Sequence, residues 1–337
     1  MKPPRDELLD LVKKTVVPHT AFQLGHDVLQ EAWELHRPGD VDGVGVFAES
    51  RTGKTLLSSL FTEKNPKIRT PEGLHAPVLA VHMPTKPTIS GLCEHILTEL
   101  GDPQADKGTQ AGLESRTWKL VKDCGVKMLF IEEFHQVFNP TRDNYMYNFG
   151  EFMKNLAEKG GAFLIPVGLP HAEYAIKCNE QLRARMRAPI RLPRFDWNDD
   201  DAREEFIAIL QAMHESIGRY FKLPQIETER VAFLFYCATG GIIGYIAKIL
   251  DRSVRTAVRK NSFKITMEDL AMAHKASMDQ LDFVVRGVSP FDSDFKPKVD
   301  DQFMARAKRI GMRPEEAPNE YRRERKTRRT ETEVVCV

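Results

Sequence analysis

Ala48-Glu49-Ser50-Arg51-Thr52-Gly53-Lys54-Thr55 has the spacing of a loop whose backbone amides grip a triphosphate. Just before it, Gly43-Val44-Gly45-Val46-Phe47 reads as a short buried strand, and just after it Leu56, Leu57, Leu60 and Phe61 fall at helical spacing. Strand, loop and helix in that order are the context a P-loop requires. The N–H groups of Ser50, Arg51, Thr52 and Gly53 would form an anion nest at a helix N-terminus, Lys54 would reach the β and γ phosphates, and Thr55 would ligate Mg²⁺. ATP or GTP is the expected ligand. Ala48 stands where the usual pattern has its first glycine, whereas Gly53, closest to the phosphates, is present. A chance Gly-Lys-Thr at a helix start is the plainer reading, and the matching flanks argue against it.

Such a site also needs carboxylates for the metal and for the attacking water. Met128-Leu129-Phe130-Ile131 is an apolar run that ends in Glu132-Glu133, which reads as a Walker B strand. Glu132 would hold Mg²⁺ through its water shell, and Glu133 would polarise the water that attacks the γ-phosphate. Most such motifs carry Asp first, so the extra methylene of Glu132 predicts slow hydrolysis or a rearranged metal shell. The alternative, two acids that merely end a strand in solvent, loses weight beside a P-loop. Glu132-Glu133-Phe134-His135 also has an E-x-x-H spacing, but the second copy that a di-iron bundle needs is not visible in the sequence.

The bulk numbers set bounds. At 337 residues the chain has room for one large or two ordinary domains with a sizeable core. Met1-Lys2-Pro3-Pro4-Arg5-Asp6-Glu7 is polar and proline-broken, and no apolar run approaches bilayer length, so a cytoplasmic protein with no membrane partner is expected. Cys93, Cys124, Cys178, Cys237 and Cys336 are scattered without a C-x-x-C pair, which predicts neither a structural zinc nor a disulfide framework; four of them are expected to fill core space. The net charge of +1 hides a basic block, six Lys and Arg against Glu324 between Tyr321 and Thr330. That block suits an anionic partner, and a plain solvated tail is an equally good reading.

Along the chain, residues 1–40 read as an N-terminal extension of two short helices closed by Pro38-Gly39. From 41 to 195 apolar strands alternate with amphipathic helices, the signature of an α/β fold with a parallel sheet. Val78–Met83, Met128–Ile131, Ala162–Val167 and the short Pro189–Pro193 are the strands that follow the first. Residues 196–285 change to helical periodicity without strands, opening with an acidic first turn at Asp199, and read as a helical lid. Residues 286–337 read as a linker and basic tail.

An ordered series of motifs then carries a resemblance: Glu49–Thr55, Met83-Pro84-Thr85-Lys86-Pro87-Thr88, Val126–His135, Pro166-Val167-Gly168-Leu169-Pro170, Gln181-Leu182-Arg183-Ala184-Arg185-Met186, Leu192–Phe195 and Thr239–Gly244. In this series the chain looks like the AAA+ P-loop ATPases, and more narrowly it resembles the TnsC/TniB family of transposition regulators, the target-selection ATPases of CRISPR-associated transposons among them. The resemblance covers residues 15–280 and leaves out the basic tail. It implies ATP and Mg²⁺ as cofactors, ATP held at subunit interfaces, a homo-oligomeric ring or short filament around duplex DNA, and partnership with a transposase and a target-selector protein. It places the trans-acting arginine at Arg185, with Arg183 and Arg187 close enough to compete. Leu169 stands where a polar sensor follows the fourth strand, and the Gly241–Gly244 turn lacks the second sensor's arginine, so switch-like, slow ATP hydrolysis is expected.

A pore that tracks DNA phosphates needs Lys, Arg or hydroxyl groups on its loops. Lys86 and Thr88, after the second strand, and Arg142, after Walker B, fit that need; for Lys86 an ordinary exposed loop lysine is an even match. No helix-turn-helix or zinc finger is legible, so base-specific recognition would fall to a partner. Two other functions compete with the transposition reading, a helicase loader or replication initiator of similar fold and a signalling NTPase scaffold.

Overall fold

The computed structural model describes residues 5–37, 40, 42–138, 143–279 and 282–312. They form two compact units, one made of the described residues from 20 to 193 and the other of those from 5 to 19 and from 194 to 312.

The first unit is built on a five-stranded parallel sheet. In chain order it runs α2 (Thr20–Leu35), β1 (Gly43–Ala48), α3 (Lys54–Lys64), β2 (Ile68–Thr70), β3 (Gly73–His75), β4 (Val78–His82), α4 (Ile89–Glu99), α5 (Gln110–Asp123), β5 (Met128–Glu132), α6 (Asp143–Gly160), β6 (Phe163–Gly168), α7 (Glu173–Lys177), α8 (Glu180–Arg185) and β7 (Met186–Leu192). The large sheet has the order β4-β5-β6-β1-β7, and every pairing in it is parallel. Because crossovers place helices on both faces, its inner strands bury both faces and read as unbroken apolar runs. All six residues of β1 and all five of β5 are buried. Alternate residues divide between two layers as strand geometry demands. Val46, Phe130, Ile165 and Val167 pack with Phe22, Leu29, Leu57 and Phe61, whereas Leu79, Leu129, Ile131 and Leu164 pack with Leu92, Ile96, Val121 and Phe152.

The second unit is helical: α1 (Arg5–Lys14), α9 (Asp200–Gly218), α10 (Glu229–Thr239), α11 (Ile243–Arg259), α12 (Met267–Ser277) and α13 (Asp301–Lys308). α11 shows the reason for its packing in its spacing, since Ile246, Ile249, Leu250, Val254 and Ala257 fall on one buried stripe. Asp199 caps α9 by accepting from Ala202 N at 2.9 Å, and Thr266 with Asp269 forms a capping box on α12. Among the described residues no single helix is long and apolar enough to cross a membrane.

Two readings of the sequence need correction. The two N-terminal helices do not make one extension: Leu8 and Val12 of α1 join the core of the helical unit with Phe206 and Val254, and Phe22 and Leu29 of α2 join the sheet unit. Residues 286–312, expected as a linker, carry α13, whose Phe303 and Ala307 are buried with Phe291 and Ile310. The prolines there break periodicity without preventing burial. The β2–β3 hairpin was not foreseen, because its residues are mostly exposed and show no apolar alternation. Arg142, Cys336 and the basic block from Tyr321 to Thr330 lie outside the described residues.

Candidate functional site

The P-loop geometry follows from two left-handed residues. Arg51 has φ 65° and Gly53 φ 103°, turning the chain so that it leaves β1 and enters α3 within five residues. A methyl at Gly53 would meet only the Phe22 ring, at 3.7 Å and beyond, so it is the backbone conformation, more than space, that asks for glycine. Gly53 occupies the N-cap of α3 and offers no side-chain cap, which leaves the positive end of the helix facing the loop. Thr52 Oγ1 braces the turn by donating to Glu49 O at 2.9 Å. Lys54 Nζ donates to Ala48 O at 2.8 Å and Glu49 O at 2.6 Å, so its ammonium lies across the mouth of the loop. Ala48 is an ordinary strand residue paired with Leu192, and its methyl is accommodated there.

The acids arrive from two strands away. β6 lies between β1 and β5, with Val46 level with Val167 and Ile131 level with Pro166. Glu132 ends β5 buried, and Ser58 Oγ donates to its Oε1 at 2.5 Å. Ser58 lies one turn beyond Lys54 on α3, so the longer Glu reaches under the P-loop helix. Burial pushes the Glu132 carboxyl above its ordinary range; the Ser58 hydrogen bond, His82 and Lys54 oppose the rise, and Glu133 adds to it. Ser58 was not singled out from the sequence. Its only signal there is a small hydroxyl four residues after the P-loop lysine, on the buried side of the helix.

Glu133 follows in a left-handed conformation, φ 58°, which breaks the strand and turns its side chain outward, 52 % exposed. Its Oε2 lies 3.4 Å from His135 Nε2, and the His135 ring, nearly buried, stands edge-on to His171 at 5.8 Å. A Cβ on Gly168 would lie 2.9 Å from the His135 backbone nitrogen, so the end of β6 and the turn after β5 are pressed together by a glycine. Leu169, in the sensor position, is buried and apolar. Thr55 is exposed at the start of α3.

This donor set fits a nucleotide-borne Mg²⁺ better than a resident metal. Among the described residues no group of three His, Cys, Asp or Glu could hold an ion alone, and Mg²⁺ characteristically takes phosphate and water oxygens with one or two protein ligands. The cysteines are no alternative: Cys93, Cys124 and Cys237 are buried and Cys178 is half-buried, and burial pushes the Cys93 thiol up to about 12.

The three arginines separate in the structure. Arg183 and Arg185 are on α8, and Arg187 is on the edge strand β7. Arg185 pairs with Glu158. Arg187 donates to Asp42 Oδ2 at 2.8 Å, lies 3.7 Å from Glu31 and stacks 5.2 Å over Phe163. Arg183 is exposed and has no ion pair among the described residues.

Lys86 is exposed in the turn after β4, and Tyr145 of α6 fastens that turn by donating to Pro87 O at 2.5 Å. Thr88 is the N-cap of α4, its Oγ1 accepting from Gly91 N at 2.9 Å, so its hydroxyl already has a structural duty. In the helical unit, the Gly240-Gly241 turn has φ 59° and 79°, and a Cβ on Gly241 would fall 2.1 Å from Phe195 O. Arg194 Nη1 donates to Gly240 O and Ile310 O, each at 3.2 Å, and to Lys308 O, tying this turn to the end of α13.

With this geometry in place, comparison with known proteins is direct. The sequence matches the bacterial TniB protein family over residues 9–197, which includes the P-loop, the acidic strand and the arginines and stops near the start of the helical unit. No curated protein shows significant sequence similarity. Solved structures share the fold at low identity. The ORC2 protein of Aeropyrum pernix, solved as ADPNP and ADP complexes, is 12% identical with TM-score 0.56, over 80% of this chain and 72% of that one. Cdc6p of Pyrobaculum aerophilum is 16% identical with TM-score 0.54, over 78% and 68%. The ORC1 protein of Aeropyrum pernix, solved with DNA, is 14% identical with TM-score 0.55, over 82% and 70%. The chain belongs to the bacterial TniB family and is an ATPase of the AAA+ fold.

Proposed function

We propose that this protein is an ATP-dependent regulator of DNA transposition that assembles on duplex DNA and links target selection to a transposase. The observation that carries the reading is the pairing, within a TniB sequence, of Lys54 at the mouth of the P-loop with Glu132 and Glu133 at the end of a strand two places away. ATP with Mg²⁺, when bound, supplies the phosphoanhydride whose cleavage times the assembly. The amides of Ser50 to Gly53 and the Lys54 ammonium hold the phosphates, and Thr55 and Glu132 hold the ion. Ser58 keeps the Glu132 carboxylate oriented. Glu133, outside the strand and open to solvent, accepts the proton of the attacking water at its carboxylate.

Arg185 or its neighbour Arg183 serves the site of an adjacent copy, so that ATP joins subunits. Arg185 would exchange its partly exposed Glu158 partner for phosphate. Arg187 is engaged by Asp42, Glu31 and Phe163 and is set aside. Lys86 tracks the DNA backbone without base readout; Thr88, occupied as a helix cap, is a weaker contact. A Glu132 whose carboxyl is pushed up by burial and an apolar Leu169 suit slow turnover, in which nucleotide state governs the lifetime of the assembly.

The likeness to ORC1, ORC2 and Cdc6 favours a second reading, a replication initiator or helicase loader. Electron microscopy of the protein with duplex DNA and a non-hydrolysable ATP analogue tests the proposal. Rings or short filaments threaded by duplex support it. A nucleotide-bound monomer indifferent to DNA would overturn it.

A further inference from the structure

A wide groove of the helical unit has no assigned task. Phe233 and Leu234 of α10, Met267 at the start of α12, and Phe295 and Val299 in the segment before α13 line a space of about 830 Å³. All five lie beyond residue 197, where the family match ends. The first four are partly buried against the core of the unit, whereas Val299 is 54% exposed.

The segment along one wall is held at its two ends. Phe295 N donates to Asp292 O at 3.1 Å, and Asp300, extended at φ −130° and ψ 176°, caps α13 by accepting from Phe303 N at 2.8 Å. Between them Lys296, Lys298 and Val299 make no main-chain hydrogen bond among the described residues, and Pro297 has no N–H to give. Arg230 and Lys296 also line the groove, both exposed, and neither has an ion pair among the described residues. The acids nearby are already employed. Asp292 lies 2.8 Å from Lys275, and Glu268 stands in the first turn of α12, where the helix dipole favours a carboxylate. Loose packing of a proline-containing segment is the ordinary reading of such a space. It accounts for the volume, but neither for two cations without acids nor for a run of idle amides beside an apolar wall.

We propose that this groove docks a short extended segment of a partner protein that carries apolar side chains and at least one carboxylate. The apolar side chains would leave water on the surface of Phe233, Leu234, Met267 and Val299. Main-chain groups of the partner would replace water on the amides of Lys296 to Val299, and its carboxylate would meet Arg230 or Lys296. The volume falls within the about 300–1,000 Å³ of sites that enclose a drug-sized ligand, which corresponds to a few side chains. A nucleic acid fits less well, because its phosphates would meet Glu268 and Asp292 and gain nothing from the aliphatic wall.

Panning a random dodecapeptide phage library on the full-length protein, without ATP or DNA, tests the proposal. Enriched peptides should exceed the library in Leu, Ile, Val or Phe and in Asp or Glu, and the best of them, synthesised with a label, should bind by fluorescence anisotropy. Val299→Asp, at an exposed position, should weaken that binding about tenfold, as should Lys296→Glu and Arg230→Glu. Lys264→Glu, an exposed lysine outside the groove, should leave it unchanged. Melting at the wild-type temperature distinguishes a lost contact from a lost fold in each variant. Enriched peptides that are basic, or that bind all three groove variants like wild type, would overturn the docking site, and so would a library that yields no binder. Three results would overturn it by assigning another occupant. Displacement of the peptide by oligothymidylate would indicate nucleic acid, and self-association that Val299→Asp abolishes would indicate a second copy. A carbodiimide crosslink from Lys296 to Glu315, Glu316 or Glu331 of the same chain would indicate the chain's own end.

Discussion

Ser58→Ala probes the joint between the P-loop helix and the acidic strand. Ser58 Oγ donates its one proton to the buried Glu132 carboxyl at 2.5 Å, with Thr55 O an alternative acceptor at 3.0 Å, and alanine removes the hydroxyl with almost no change of volume. Hydrogen bonds to charged groups contribute about 1.5–3 kcal/mol net, and a buried acceptor left unmatched costs a similar amount. About 2 kcal/mol is therefore expected, or about 4–8 °C in the melting of a unit this size. The cost should depend on pH. Burial already holds the Glu132 carboxyl above its ordinary range and Ser58 opposes that rise, so the variant moves the group further toward its neutral form. A carboxyl raised in the folded state binds more protons folded than unfolded, so stability falls as pH rises from the ordinary carboxylate range through the raised value. The deficit of Ser58→Ala should accordingly grow with pH across that window, and Mg²⁺-dependent binding of an ATP analogue should require a higher pH than in wild type. Thermal melts and calorimetric titrations from about pH 5 to about pH 8 read both effects. Equal melting of variant and wild type at every pH, or a deficit that does not vary with pH, would refute the coupling.

Three further outcomes follow from the same geometry. His274 is buried beside Phe283 and Phe291 and held down to about 4 by burial; the unfolded chain therefore binds its proton first, and stability is lost as pH falls from about 6.5 toward 4, by about 2 kcal/mol between about pH 7 and about pH 5. Chemical denaturation should show that loss and show it reduced in His274→Gln; an equal loss in both would assign the acid sensitivity elsewhere. Of three arginine variants, Arg183→Ala or Arg185→Ala should cut the ATP turnover of the assembled protein by about a thousandfold while leaving nucleotide binding by single copies unchanged, and Arg187→Ala should chiefly lower stability; a turnover loss confined to Arg187→Ala would reverse that assignment. Gly53→Ala should weaken ATP-analogue binding by about 1–2 kcal/mol through strain at φ 103°, and calorimetry showing full affinity would mean that the loop relaxes without cost.

The catalytic half of the fold was legible because its signals are local. A buried strand, a nest and a helix start occupy consecutive residues from Gly43 to Lys54, and the acidic strand declares itself by four apolar residues before two glutamates. Partnerships between distant segments were not legible. Nothing near Ser58 announces Glu132, 74 residues away, and the leucines of α1 do not say which of two cores will bury them. Residues 286–312 were misjudged for the same reason, since Phe291 and Phe303 become core only once α10 and α12 supply the other wall. The trans arginine was ambiguous because three arginines fall within five residues. Only tertiary structure shows that the chain changes from helix to strand at Met186, and that Asp42 and Glu31 engage the third.

In the proposed division of labour Glu133 acts as the base while Lys54 and the P-loop bind. Single-turnover ATP hydrolysis and nucleotide affinity measured on Glu133→Gln, with the protein assembled on duplex DNA, test it most directly. The variant should keep the affinity of wild type and hydrolyse at least about a hundredfold more slowly, with a longer-lived DNA complex. Hydrolysis at the wild-type rate would contradict the account and move the base to another residue.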